Sequence, residues 1–218
     1  MIFTKKPTFE QHDNEFGSYY KSSINAFESK DILENEINVD ICIIGGGLTG
    51  VSSALYLAKN GYSVCLCEAR QIGWGASGRN GGQLGIGMRK DQKFLEKKLG
   101  FDHAKELWKI GLEAVDETKK LIFNYDIECN LTQGVINAGF YQKDENDYLE
   151  EINHMQKKYN FEGYKFLNSK DIRQEINSNI YFSGLLNTYS YHINPLKFLI
   201  GLANELKKFN VKIYENTP

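Results

Sequence analysis

The sequence predicts an α/β fold, a doubly wound parallel sheet with an antiparallel sheet interleaved in it, and three observations predict it. The apolar run Val39 to Ile44 leads into a glycine turn and then into residues at helical spacing. A second run, Tyr62 to Cys67, ends on an acid, Glu68. Beyond residue 125 the pattern changes to short strands separated by helices and turns, which suits an antiparallel sheet.

The elements follow in order. Residues 1–38 are polar and aromatic without a clear period, and are read as an extended arm with a short helix. VDICII, Val39 to Ile44, has the continuous apolar character of a parallel strand buried on both faces. TGVSSALYLAKN, Thr49 to Asn60, is a helix, stopped by Gly61 at the usual left-handed position. YSVCLC, Tyr62 to Cys67, is the second strand. Between Gly73 and Gly85 lie six glycines in thirteen residues, a loop expected to form neither helix nor strand. Asp91 to Lys98 is a helix, and Phe101 to Tyr125 a long one, with Phe101, Ala104, Leu107, Trp108, Leu112, Val115 and Ile122 recurring at threes and fours. Strands are expected at 127–131, 134–141, 164–167 and 180–189, and helices at 144–159 and 169–176. A helix with proline in its first turn, Pro195 to Phe209, leads into a last strand, Val211 to Tyr214.

Composition narrows the function. The 218 residues are 41% hydrophobic and 25% charged, with a formal charge of −2, and no lysine or arginine block exceeds two residues. Such a chain has no field for gathering phosphate backbones, so nucleic acid is excluded as a partner. Cys42, Cys65, Cys67 and Cys129 have neither the number nor the spacing of a disulfide framework or zinc site, and no metal is expected. A reducing, cytoplasmic setting follows. The N-terminal residues lack the apolar core of a secretory signal, and the run 39–58 is too broken by glycine and Asp40 for a membrane span.

The turn Gly45-Gly46-Gly47-Leu48-Thr49-Gly50 is G-x-G-x-x-G between strand and helix, the Rossmann fingerprint. Gly45 permits the tight turn, Gly47 lets a pyrophosphate approach the backbone, and Gly50 lets the helix pack on the strand. The phosphates sit at the helix N-terminus, where free N–H groups and the dipole favour anions. Glu68, eighteen residues after Gly50, is placed for an adenosine ribose, which favours FAD or NAD over NADP. The loop after Glu68 separates the two. Twelve of the twenty glycines lie between Gly45 and Gly87, and bare backbone is what a flat isoalloxazine ring needs beside it.

VDICIIGGGLTG, CLCEAR at Cys65 to Arg70 and GWGASGRNGGQ at Gly73 to Gln83 resemble the N-terminal half of FAD-dependent oxidoreductases of the D-amino-acid oxidase superfamily, nearest the γ-glutamylputrescine oxidase group. The resemblance implies FAD as cofactor. It puts Gly45, Gly47, Leu48, Thr49 and Gly50 on the pyrophosphate, Glu68 on the ribose, Ala69 and Arg70 along the adenosine, and Ala76, Ser77, Asn80, Gly81, Gly82 and Gln83 along the ribityl chain and flavin. Arg79 either bonds a phosphate or pins the loop.

It further implies a Rossmann-like FAD-binding domain from 39–90 and 191–218, an interleaved substrate domain within 91–190, and oxidation of a carbon–nitrogen bond in a small amine or amino acid. Such proteins are about twice this length, so the fold is expected to be truncated. The rivals are an incomplete fragment needing a second polypeptide, an NAD-dependent dehydrogenase, and a non-enzymatic binding module. No catalytic side chain is assigned. His192 is a candidate for the substrate cavity but is read first as a loop histidine, Tyr189 and Tyr191 as packing, and Cys65 and Cys67 as small apolar groups on one strand face.

Overall fold

A computed structural model describes residues 18–24 and 31–218. The arm expected over 1–38 therefore lies largely outside the described residues; within it is one short helix, α1, Tyr19–Ser22.

The parallel sheet has the order β1-β2-β7, with β1 Ile41–Ile44, β2 Val64–Cys67 and β7 Lys212–Tyr214. Its register pairs Ile44 with Cys67 and Cys67 with Tyr214, so the carboxyl ends of all three strands finish on one line. Two helices, α2 (Leu48–Lys59) and α7 (Pro195–Lys208), cover one face. Val51, Ala54 and Leu55 of α2 and Leu199, Leu202, Ala203 and Leu206 of α7 close on Val64, Leu66 and Ile213 in a single apolar cluster. The expected capping holds: Gly61 has φ of +89°, just beyond the end of α2, and Pro195 opens α7 behind its Asn194 cap.

β1 departs from the sequence expectation. Only β2 is buried throughout; β1 alternates, and Ile44 is 90% exposed. The cause is position: β1 stands at the edge of the sheet among the described residues, whereas β2 is flanked on both sides.

The antiparallel sheet is built around β6, Ser183–His192. One edge of β6 takes β4 (Thr132–Gly139), and the other takes β5 (Tyr164–Leu167) and β3 (Gln83–Leu84). β6 lies three residues later than expected because Ile180 and Phe182 are exposed, while Ser183 to Asn187 pair along β4. Residues 127–131 are not a strand. Asp126 and Asn130 adopt φ of 51° and 57°, and Ile127 turns back to donate its N–H to the Ile122 carbonyl. Ile127 and Cys129 are buried all the same, so apolar character at these positions marks a packed turn.

The helices α3 (Gln92–Leu99), α4 (Phe101–Asn124) and α5 (Asp144–Tyr159) match the periodicity closely. α4 buries Ala104, Trp108, Val115 and Ile122, but Phe101 at its first position is exposed and packs at a tilt on Tyr159. α6, Ser169–Glu175, carries a complete capping box: the Asn168 side chain accepts from the Asp171 N–H and the Asp171 carboxylate from that of Asn168. Among the described residues no helix is long and apolar enough to cross a membrane.

Candidate functional site

The site assembles where the three parallel strands end, the edge at which open α/β sheets bind ligands. After β1 the chain turns through Gly45, with φ of +105°, and enters α2 at Leu48. A Cβ on Gly50 would stand 2.0 Å from the Gly45 carbonyl oxygen, so only glycine allows the helix to sit this close to the turn. Gly45 itself faces open space. The first-turn N–H groups of α2 have no acceptor within the helix, as at every helix start.

After β2, the Glu68 carboxylate accepts from the N–H of Gly46 at 2.6 Å and from that of Arg70 at 2.9 Å. Ala69 is exposed, and the Arg70 guanidinium lies 4.5 Å from the centre of the Trp74 ring. The glycine-rich segment then comes back to the nucleotide turn. Ser77 Oγ accepts from the Leu48 N–H at 3.0 Å, and a Cβ on Gly47 would meet that hydroxyl at 2.9 Å.

The segment is more ordered than its composition suggests. Residues Ala76–Gly78 form a 3-10 turn and Gln83–Leu84 form β3, so the expectation of a loop without helix or strand is corrected. The physical reason is a set of polar ties. Asn80 donates through Nδ2 to the carbonyls of Ala76 and Ser77 and accepts from the Gly82 N–H at 2.9 Å. The Gly82 carbonyl accepts from the N–H of Ile193, which delivers Gln83 into register with His192. Arg79 stacks on Trp74 and donates from Nε to the Trp74 carbonyl at 2.7 Å, contacts that fit the loop-pinning alternative.

His192 is the last residue of β6, not a loop residue, and is the register partner of both Gln83 and Thr132. With Gln83, Gly81, Tyr19, Tyr20 and Asn130 it lines an open cleft beside the glycine segment. Tyr191 lies under the Lys119 ammonium, and Tyr189 packs against Phe161, so both serve packing. Cys65 and Cys67 are buried, and burial pushes the Cys65 thiol up to about 12 and Cys67 upward too, which favours the thiol form of each in the metal-free chain.

A model of the FAD dependent oxidoreductase family matches residues 40–218. The chain belongs to this family. Among similar proteins, the γ-glutamylputrescine oxidoreductase of Escherichia coli is 36% identical over 198 residues, covering 91% of this chain and 46% of that protein. The probable oxidoreductase OrdL of Haemophilus influenzae is 32% identical over 202 residues, covering 92% and 47%. The L-amino acid deaminase of Proteus myxofaciens, solved in complex with anthranilate, shares the fold, with a TM-score of 0.64 at 21% identity over 88% of this chain and 41% of that one. The chain thus spans about half the length of the curated relatives it matches.

Membership of the FAD-dependent oxidoreductases agrees with the sheet and its carboxyl edge, and nothing found supports the NAD-dependent alternative. Around that edge sequence reasoning missed one group. Glu215 follows the third parallel strand as Glu68 follows the second; it is buried, at 3% exposure, and accepts from the Ile72 N–H at 2.6 Å. The matching position of an acid after a parallel strand was the available signal. The Thr217 N–H reaches the Glu68 carbonyl and the Asn216 N–H that of Arg70, so the last residues brace the segment between β2 and the glycine-rich loop.

Proposed function

We propose that the chain binds FAD at the carboxyl edge of the parallel sheet and forms the cofactor-holding part of an enzyme that oxidises a carbon–nitrogen bond in a small amine or amino acid. The observation that carries this reading is convergence. The α2 N-terminus, the Glu68 carboxylate and the Ser77 hydroxyl meet around Gly46 to Leu48, with the Asn80-pinned glycine segment running on from them.

The residues fit the group. The first-turn N–H groups of Thr49 and Gly50 suit a pyrophosphate, with Gly45 and Gly47 adding no side chain; the Leu48 N–H, given to Ser77 Oγ here, would join them once that hydroxyl turned away. Glu68 suits a ribose diol, with Ala69 and Arg70 flanking it. Ala76, Ser77, Asn80, Gly81, Gly82 and Gln83 then lead toward the His192 cleft, where a substrate has room. When bound, FAD supplies the two-electron acceptor; the chain's own residues bind, orient and shield. By its likeness to γ-glutamylputrescine oxidoreductase the substrate class narrows to a γ-glutamylated polyamine or a secondary amino acid. Residues 39–90 and 191–218 serve as the FAD-binding part and 91–190 as the substrate part, with β6 passing between them. Four free thiols suit a cytoplasmic setting.

A second reading keeps the binding site and makes activity depend on another polypeptide. The edge of β1, which no other strand among the described residues covers, favours it, with Ile44 exposed beside the glycine turn. Titrating FAD into the purified chain, followed by flavin fluorescence, tests the first reading: saturable binding that NAD does not compete away is expected, and no binding overturns it. Reduction of a dye by the loaded chain across a panel of amines and amino acids then separates the two. Turnover supports a self-sufficient enzyme, and binding without turnover supports dependence on a second polypeptide.

A further inference from the structure

The face of the parallel sheet turned away from α2 and α7 carries three of the four cysteines. Val64 and Leu66 of β2 point into the helix-covered core, so by strand alternation Cys65 and Cys67 point the other way. Cys42 on β1 is the register partner of Cys65. The Sγ atoms of Cys42, Cys65 and Cys67 all lie within 4.8 Å of one another, and those of Cys65 and Cys67 are 3.6 Å apart.

We propose that Cys42, Cys65 and Cys67 form a three-coordinate site for a single Cu(I) ion. Thiolate ligands select soft ions. Three sulfurs each about 2.3 Å from a central ion in a plane stand roughly 4 Å from one another, which these side chains reach by rotation about χ1. Zinc fits less well because it takes a fourth ligand, and among the described residues no histidine, acid or further cysteine joins the group. Cys42 is exposed and opens the entry path, while Cys65 and Cys67 are buried. Lys212 on β7 is the register partner of Cys65 on its other side, so its side chain leaves the sheet on the same face and can offset the negative charge left when the thiols release their protons to solvent. The spacing Cys65-x-Cys67 hid this group in the sequence; the pairing of β1 with β2 supplies the third thiol.

The site stands apart from the flavin reading, and its test uses the reduced, flavin-free chain under anaerobic conditions. Cu(I) held by bicinchoninate is titrated with protein. One ion withdrawn per chain is expected, with at least a tenfold loss of affinity in Cys42→Ser, whose exposed position leaves the fold intact, and with no displacement by equimolar Zn(II). No withdrawal by the wild-type chain, or withdrawal by Cys42→Ser and Cys67→Ser as strong as that of the wild type, overturns the proposal. X-ray absorption of the loaded chain should count three sulfur neighbours; a count of two refutes three-coordination.

Discussion

The Glu68 carboxylate accepts the N–H of Gly46 at 2.6 Å, tying the end of the second parallel strand to the turn that follows the first. The same carboxylate takes the Arg70 N–H, so it organises both the nucleotide turn and the start of the glycine-rich segment. Glu68→Ala leaves the buried Gly46 N–H without its acceptor, and the expected cost is about 1–3 kcal/mol in the cofactor-free chain, measured by urea unfolding. If Glu68 holds the ribose as proposed, FAD affinity should fall by a comparable factor. Glu68→Gln, which keeps one carbonyl acceptor, should recover much of the stability and less of the affinity. If FAD affinity were unchanged in both variants, the carboxylate would be a brace for the turn and no ribose ligand.

Gly50 is confined by backbone, which cannot step aside. Its Cβ would stand 2.0 Å from the Gly45 carbonyl oxygen. Gly50→Ala should therefore cost more than about 2 kcal/mol in urea unfolding, although alanine is the better helix former. Gly61→Ala provides the comparison: no atom lies within 4 Å of its Cβ, so the loss there comes from a φ of +89° alone and should be about 1 kcal/mol.

How much of this was legible in the sequence differs by region. The nucleotide half was almost fully legible because each feature there is local: a strand, a glycine turn and a helix within a short span, with Gly61 and Pro195 punctuating helix ends. Where the reading failed, long-range pairing decided. Residues 127–131 are apolar enough for a strand, yet the two positive-φ residues flank a turn whose apolar groups close the base of α4. Gln83–Leu84 become a strand only because β6, more than a hundred residues away, offers its edge. The cysteine group depends in the same way on register, and Glu215 on the return of the chain to the parallel sheet.

The Glu96 carboxylate joins α3 to α5, accepting from the Tyr159 hydroxyl at 2.8 Å and lying 2.8 Å from His154 Nε2. Burial and the bond to Glu96 push the Tyr159 phenol from 10.0 up to about 12. A raised acid prefers its proton in the folded chain, so this stabilisation is complete below pH 10 and is lost as pH climbs to about 12. Tyr164, raised to about 12 chiefly by burial, adds to the same loss. Unfolding free energy measured by urea from pH 9 upward should decline over that window, and Tyr159→Phe should flatten part of the decline. An identical pH profile in wild type and variant would show that the phenol does not titrate with folding.

Asn80 distinguishes a loop that is merely folded from one that is shaped for a cofactor. Its side chain bonds the carbonyls of Ala76 and Ser77 and the N–H of Gly82, three groups on either side of the bend that carries the chain from the 3-10 turn into β3. Asn80 is exposed, so water can replace these bonds, and Asn80→Ala should cost only about 1 kcal/mol of stability. If the segment from Ala76 to Gln83 lies along the flavin, the same substitution acts differently on binding. The loop must then be re-ordered at the moment FAD arrives, and affinity should fall about tenfold or more, beyond what the stability change explains. Asn80→Asp keeps the acceptor for Gly82 but loses the amide donor to Ala76 and Ser77, and should fall between the two. Fluorescence titration with FAD set against urea unfolding of the same three proteins gives the comparison. Equal FAD affinity across the series, with stability changed as expected, would detach the glycine-rich segment from the cofactor and leave the pyrophosphate turn and Glu68 as the remaining support for flavin binding.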